Sequence, residues 1–243
     1  MLYYFLSALA VLIILAIHEY AHGYAAYKLG DNTAKYMGRL TLNPIKHLDP
    51  VGAVCMLLFH FGWAKPVPVD PRNFKNPKKG FAIVAIAGPL SNLIMAFFSA
   101  FLYLLTVAIF KDTHFTSNFA YHLVQNTINF IFIFHSINVG LAIFNLIPIP
   151  PLDGSRILNV ILPPKTYFKI MRYERTIYFV LIGWLLLGTA VSHFLLRIPF
   201  VASNPALAVI ARIFSLSDIL SYVFDFVSQL IFNFWKLIPF LNV

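Results

Sequence analysis

Charge, glutamate and cysteine are all scarce in this chain. Only 11% of its 243 residues are Asp, Glu, Lys or Arg, against about 25% in a soluble domain. So little charge excludes a water-soluble globule. With 60% hydrophobic residues and a mean hydropathy of +0.78, the composition is that of an integral membrane protein whose surroundings are a lipid bilayer. The single cysteine, Cys55, excludes an internal disulfide and any paired-thiol site, and reads as a small apolar packing residue. The sequence also lacks repeats, low-complexity stretches, a linker and room for a separate soluble domain. The net charge of +9 does not indicate nucleic acid, because the basic residues lie in short loops between apolar runs. The first apolar run has no charged leading region and no small-residue cleavage site, so it is expected to be a span and not a signal peptide.

Long apolar runs and 25 phenylalanines fill what remains. The expected fold is an all-α polytopic membrane protein. Its spans lie near 2–29, 81–110, 121–163 and 177–197, with an apolar to amphipathic helical tail at 205–240. The tail is expected to be a hairpin partner for a span or a surface helix. A membrane-embedded core (1–164) would precede a C-terminal part (165–243). Each main run exceeds the ~20 residues needed to cross a bilayer. The third is interrupted by Pro148, Pro150 and Pro151, which cannot continue a regular helix. The plain reading is one broken crossing. Between the first two spans, 51–63 is apolar but too short to cross and reads as re-entrant or interfacial. The alternation Lys65-Pro66-Val67-Pro68-Val69-Asp70 reads as an extended edge strand.

Loop charge gives an orientation. Residues 28–79 hold nine Lys/Arg, and 165–175 hold four, whereas 111–117 hold one. Basic loops stay cytoplasmic, so the first span ends inside and the third returns there.

One of only two glutamates is Glu19, within His18-Glu19-Tyr20-Ala21-His22. Residues at i and i+4 share a helix face, so both imidazoles can reach one metal. Glu19 stands beside them to take a proton from an activated water. Random placement at this composition gives roughly 0.002 such HExxH motifs per chain. Ionisable groups within an apolar span need a strong reason, and a hydrolytic Zn2+ (one per chain) is such a reason. A buried hydrogen-bond cluster or a proton path is the bland alternative. Zinc needs a third protein ligand if one position stays open. Asp153, in the broken segment, is the best candidate. It could instead cap the helix that follows. His60 and His135 are rivals, with His135 reading more readily as an interhelical contact.

Taken together the motifs resemble the site-2 protease family of intramembrane zinc metalloproteases, in its short prokaryotic form without PDZ or CBS domains. The resemblance covers about residues 1–164. It rests on the HExxH helix, on Gly88-Pro89-Leu90-Ser91-Asn92, on the run from Asn145 to Asp153-Gly154, and on the segment from Gly62 to Phe74. It implies a three-helix catalytic core with a broken third core helix and a re-entrant or extended segment, plus additional C-terminal helices. It also implies His18, His22 and Asp153 as zinc ligands, Glu19 as the general base and Asn145 as the oxyanion donor. Gly88 and Asn92 belong to the motif of the second core helix. Asn92 reads either as site support or as interhelical packing. The implied activity is zinc-dependent endopeptidase cleavage in or near transmembrane segments of membrane proteins. On that reading the 65–70 stretch, through Val67 and Val69, pairs with the unwound substrate. The partner is a transmembrane protein substrate, the site lies in the cytoplasmic half of the cell membrane, and self-association is left open. A metal or ion transporter using the same His/Glu/Asp cluster is the competing class.

Overall fold

A computed structural model describes residues 1–50, 52, 64–213 and 215–243. Helix α1 (Leu2–Lys28) has 27 residues and is about 40 Å long at 1.5 Å per residue, enough to cross ~30 Å of hydrocarbon. A short α2 (Thr33–Tyr36) follows. Helix α3 (Pro77–Phe110) opens with Asn76, whose side chain accepts from the Lys79 N–H at 3.1 Å, and with Pro77 in the first turn. This cap satisfies a donor that helix geometry leaves unpaired, and proline costs nothing there. Helix α4 is Asn118–Leu146. After a break come α5 (Gly154–Ile161), α6 (Pro164–Arg172), α7 (Glu174–Leu196), α8 (Pro199–Ser203), α9 (Pro205–Ile213) and α10 (Leu216–Trp235). Among the described residues four helices (α1, α3, α4, α7) are long and apolar enough to span a membrane, or five if the bent pair α9–α10 counts as one.

Helices α1, α3 and α4 pack on one another. Their shared faces are lined with small residues: Ala10, Ala16 and Ala26 on α1, and Ala85, Gly88, Ala96, Ser99 and Ala100 on α3, all buried. Lipid tails are as apolar as the helices, so close van der Waals approach holds such a bundle, and small residues permit it. The other face of α3 carries Ile86, Leu90, Ile94, Phe98 and Leu102 at four-residue steps, all exposed. That stripe is the lipid side.

The third span breaks between Leu146 and Gly154, at the prolines. Helix α4 alone has 29 residues, about 43 Å. The chain then turns through Pro148, Pro150 and Pro151, and α5 packs against α3 rather than continuing the line of α4. Gly154 makes this turn sterically feasible. A Cβ there would overlap the carbonyls of Leu146 and Ile147.

The tail is helical. Helices α9 and α10 bend by 92°, and α10 lies on α3 and α4. Trp235 donates its indole N–H to the Phe97 carbonyl at 2.8 Å, and Ser228 meets His135 Nε2 at 2.9 Å. Leu241, 1% exposed, packs with Leu104 and Ala108 of α3. Asp225 is exposed and Asp218 half-buried, so the tail keeps a polar face while its apolar face joins the core.

Segment 65–70 runs extended beside α1 without a strand partner among the described residues. The isolated antiparallel bridge Leu48–Ala64 precedes it. The re-entrant reading of 51–63 lies outside the described residues, save Gly52. Two buried charges pin the extended stretch. Arg39 donates to the Lys65 carbonyl at 2.7 Å and to the Pro66 carbonyl at 3.3 Å. Asp31, fully buried just after α1, accepts from the Asp70 N–H at 2.8 Å, Asn73 Nδ2 at 2.7 Å and the Thr33 N–H at 3.0 Å. Burial works to raise the Asp31 pKa. The donors of Thr33, Asp70 and Asn73 outweigh it and hold the carboxyl below its ordinary value.

A carboxyl depressed in the folded state stabilises fully above its unfolded pKa, about 3.9, and loses that contribution as pH falls through the folded value. Asp31→Asn is therefore expected to cost about 2 kcal/mol at pH 7. The gap to wild type should narrow below about pH 4. Thermal unfolding in detergent at both pH values checks this, and equal melting at pH 7 would remove Asp31 as the anchor.

Candidate metal centre

Four residues apart on α1, His18 and His22 present their Nε2 atoms 3.1 Å from each other. Each Nε2 lies 3.2 Å from Asp153 Oδ2. A tetrahedral ion with bonds of about 2.0–2.1 Å holds its ligand atoms about 3.3 Å apart, so this triangle matches one face of such a site. The two histidine side chains are 7% and 11% exposed, and that of Asp153 is 25%.

Helix α3 sets the imidazole tautomers. His22 Nδ1 donates to the Val84 carbonyl at 2.7 Å, and His18 Nδ1 donates to Asn92 Oδ1 at 3.3 Å. With hydrogens on both Nδ1 atoms, both Nε2 atoms carry lone pairs. In the neutral rings, two lone pairs and a carboxylate oxygen at 3.2 Å or less repel one another unless a metal cation or a proton lies among them. Two imidazole nitrogens and one carboxylate oxygen are a donor set that Zn2+ accepts. The α1 imidazoles can sit this close to α3 because residue 88 is glycine. A Cβ there would overlap the rings of His22 and His18.

Glu19 follows His18 on the same helix. Its Oε2 accepts the Val67 N–H at 2.8 Å, which ties the extended segment to the carboxylate. Both face a cavity of about 330 Å³, lined also by His18, His22, Asp153, Val69, Asn145 and Arg156. Asn145 occupies the last turn of α4, half-buried, and its side chain makes no hydrogen bond among the described residues.

The geometry thus brings together His18, Glu19, His22, Val67, Val69, Asn145 and Asp153, with Gly88 against both imidazoles and Asn92 at the outward nitrogen of His18. Asp153 stands at the N-cap position of α5 but makes no side-chain cap bond. His135 is elsewhere, bound to the Ala96 carbonyl at 3.0 Å and to Ser228, an interhelical contact. His60 lies outside the described residues. Sequence reasoning missed Val84, which acts through its backbone and leaves no side-chain signal. It also missed Arg156, although a position three residues after Asp153, one turn along α5, could have pointed to it.

The chain is similar to known proteins. The model of peptidase family M50 matches residues 6–188. The chain is 47% identical over 178 residues to "Putative zinc metalloprotease YwhC" of Bacillus subtilis, covering 71% of this chain and 78% of that protein. It is 31% identical over 161 residues to "Putative zinc metalloprotease Rip2" of Mycolicibacterium smegmatis, covering 64% of this chain and 56% of that one. It is 29% identical over 163 residues to "Zinc metalloprotease MJ0392" of Methanocaldococcus jannaschii, covering 66% and 36%. No solved structure gives a significant match. A family match over residues 6–188, three quarters of the chain, together with the HExxH helix inside it, makes this protein a member of peptidase family M50.

Proposed function

We propose that this M50 metalloprotease is an intramembrane endopeptidase. It hydrolyses peptide bonds in or near transmembrane segments of membrane-protein substrates, at a zinc held by His18, His22 and Asp153 in the cytoplasmic half of the cell membrane. One observation carries the reading: three convergent ligand atoms, a glutamate and an amide line a single cavity between helices apolar enough to span a bilayer. The metal or ion transporter reading uses the same cluster. It is disfavoured because the described residues hold one candidate metal cluster and no second station across the membrane.

Bound Zn2+ supplies the Lewis acidity that lowers the pKa of an attacking water to about 7 and polarises the scissile carbonyl. Asn92 and the Val84 carbonyl keep both imidazoles oriented for it. Glu19 takes the proton of the attacking water and delivers it to the leaving amine. The Val67 N–H holds one Glu19 oxygen, and the other is left for that transfer. Asn145 donates to the developing oxyanion.

The substrate must be extended, because a helix hides its carbonyls in its own hydrogen bonds. Segment 65–70 offers an unwound peptide one register. Its Lys65 and Pro66 carbonyls are taken by Arg39, its Val67 N–H by Glu19 and its Asp70 N–H by Asp31. The Val67 carbonyl and the Val69 N–H make no bond among the described residues and can add a strand to the segment.

Glu19→Gln should lower cleavage of a single-span substrate in detergent by about 10²–10⁴-fold while the zinc content stays stoichiometric. Asp153→Ala should lose both metal and cleavage. Metal retained in full by the Asp153→Ala protein would remove Asp153 from the site. For the strand-addition step, Val69→Pro deletes the N–H in question. Zinc binding is expected to persist and cutting to fall at least tenfold, and unimpaired cutting would count against the pairing.

A further inference from the structure

A second cavity, of about 450 Å³, adjoins the metal cavity and shares Phe81 and Arg156 with it. Its other walls include Pro71, Lys78, Asn159, Tyr167, Met171 and Glu174. Nothing in the chemistry proposed above uses it. Its construction is specific. Tyr167 and Met171 are four apart on α6 and so share one face, and Tyr167 is only 5% exposed. Arg156 lies with its guanidinium 5.4 Å above the Phe81 ring and pairs with Glu174 at 3.3 Å. Both contacts fix the guanidinium, and Arg156 lines both cavities.

What fills the second cavity follows from the extended segment. Pro66, Val67 and Val69 line the metal cavity, and Pro71 lines the second one. The segment therefore leads from one to the other. A peptide laid against it advances about 3.3 Å per residue, so it has one part at the metal and, two to four residues on, another at the second cavity. The walls there are mostly aromatic and apolar.

We propose that this second cavity is a specificity subsite for the cleaved peptide. It takes one large apolar side chain, of the size of leucine or phenylalanine, two to four positions from the scissile bond. The inference rests on the endopeptidase reading and names what that site selects.

The test uses the full chain in detergent and a set of single-span substrates bearing Ala, Phe or Asp at each position within five residues of the mapped cut. Wild type should prefer Phe over Asp at one position two to four residues from the cut, by about 10–100-fold. Met171→Trp, which fills the cavity, should move that preference to Ala at the same position by about tenfold and leave the other positions alone. Met171→Ala, which enlarges it, should keep the preference for Phe over Asp and favour Phe over Ala more strongly. Zinc content checks that each variant is folded, and Met171→Ala carries the test if the tryptophan variant loses metal. If both variants retain zinc and keep the wild-type profile, or if wild type has no preference in that window, the subsite is overturned while the protease stands. If no substrate is cut in a Glu19-dependent way, both readings fall.

Discussion

Two imidazole nitrogens and a carboxylate oxygen, each within 3.2 Å of the others, cannot share an apolar interior without a positive charge between them. Much of the molecule serves that constraint. Gly88 allows α1 to approach α3 until the rings occupy the space a Cβ would fill. Val84 and Asn92 engage the outward nitrogens, which leaves the inward ones facing Asp153 as candidate ligands. The prolines after α4 and the contact of Gly154 with the end of that helix return Asp153 to α1. An unpaired carboxylate at membrane depth is costly, and the proposed shared coordination would remove that cost for all three groups at once.

The extended segment has a second role beside the metal. It is fixed from outside by Arg39 and Asp31, and from inside by Glu19. The proposed base and the proposed substrate platform are therefore one connected unit. A shift of residues 65–70 would move the Glu19 carboxylate as well. This gives a physical reason why a loop between two spans, rich in proline and poor in regular structure, should hold its shape so closely to the site. Proline presets an extended backbone and removes competing donors, and the buried charges supply the hydrogen bonds that a sheet would otherwise provide.

The helices after residue 165 do more than add spans. Helix α10 is hydrogen-bonded through Trp235 and Ser228 to α3 and α4. Leu216 packs with Leu152 and Leu181 against Phe144 and Ile147, at the turn that delivers Asp153. Helix α6 walls the second cavity. The C-terminal part thus supports the break in the core from behind, and the composition of the tail, apolar with scattered charges, gave no hint of the partner it would pack on.

By itself the sequence determined what is local or compositional. Scarce charge and long apolar runs specify membrane helices, because the backbone can satisfy itself in lipid only within a helix or a closed barrel. The spacing of His18 and His22 specifies a two-ligand face, because the α-helical period is fixed at 3.6 residues. Pro148, Pro150 and Pro151 specify where a helix must stop. What only the tertiary structure decided depends on contacts between distant segments. That Asp153 and not His135 meets the imidazoles, that α5 folds onto α3 instead of prolonging α4, and that the Val84 carbonyl and Arg156 belong to the site all follow from how helices pack. Packing depends on the shape of both partners at once, and a backbone carbonyl such as that of Val84 has no side-chain identity through which a sequence could announce it.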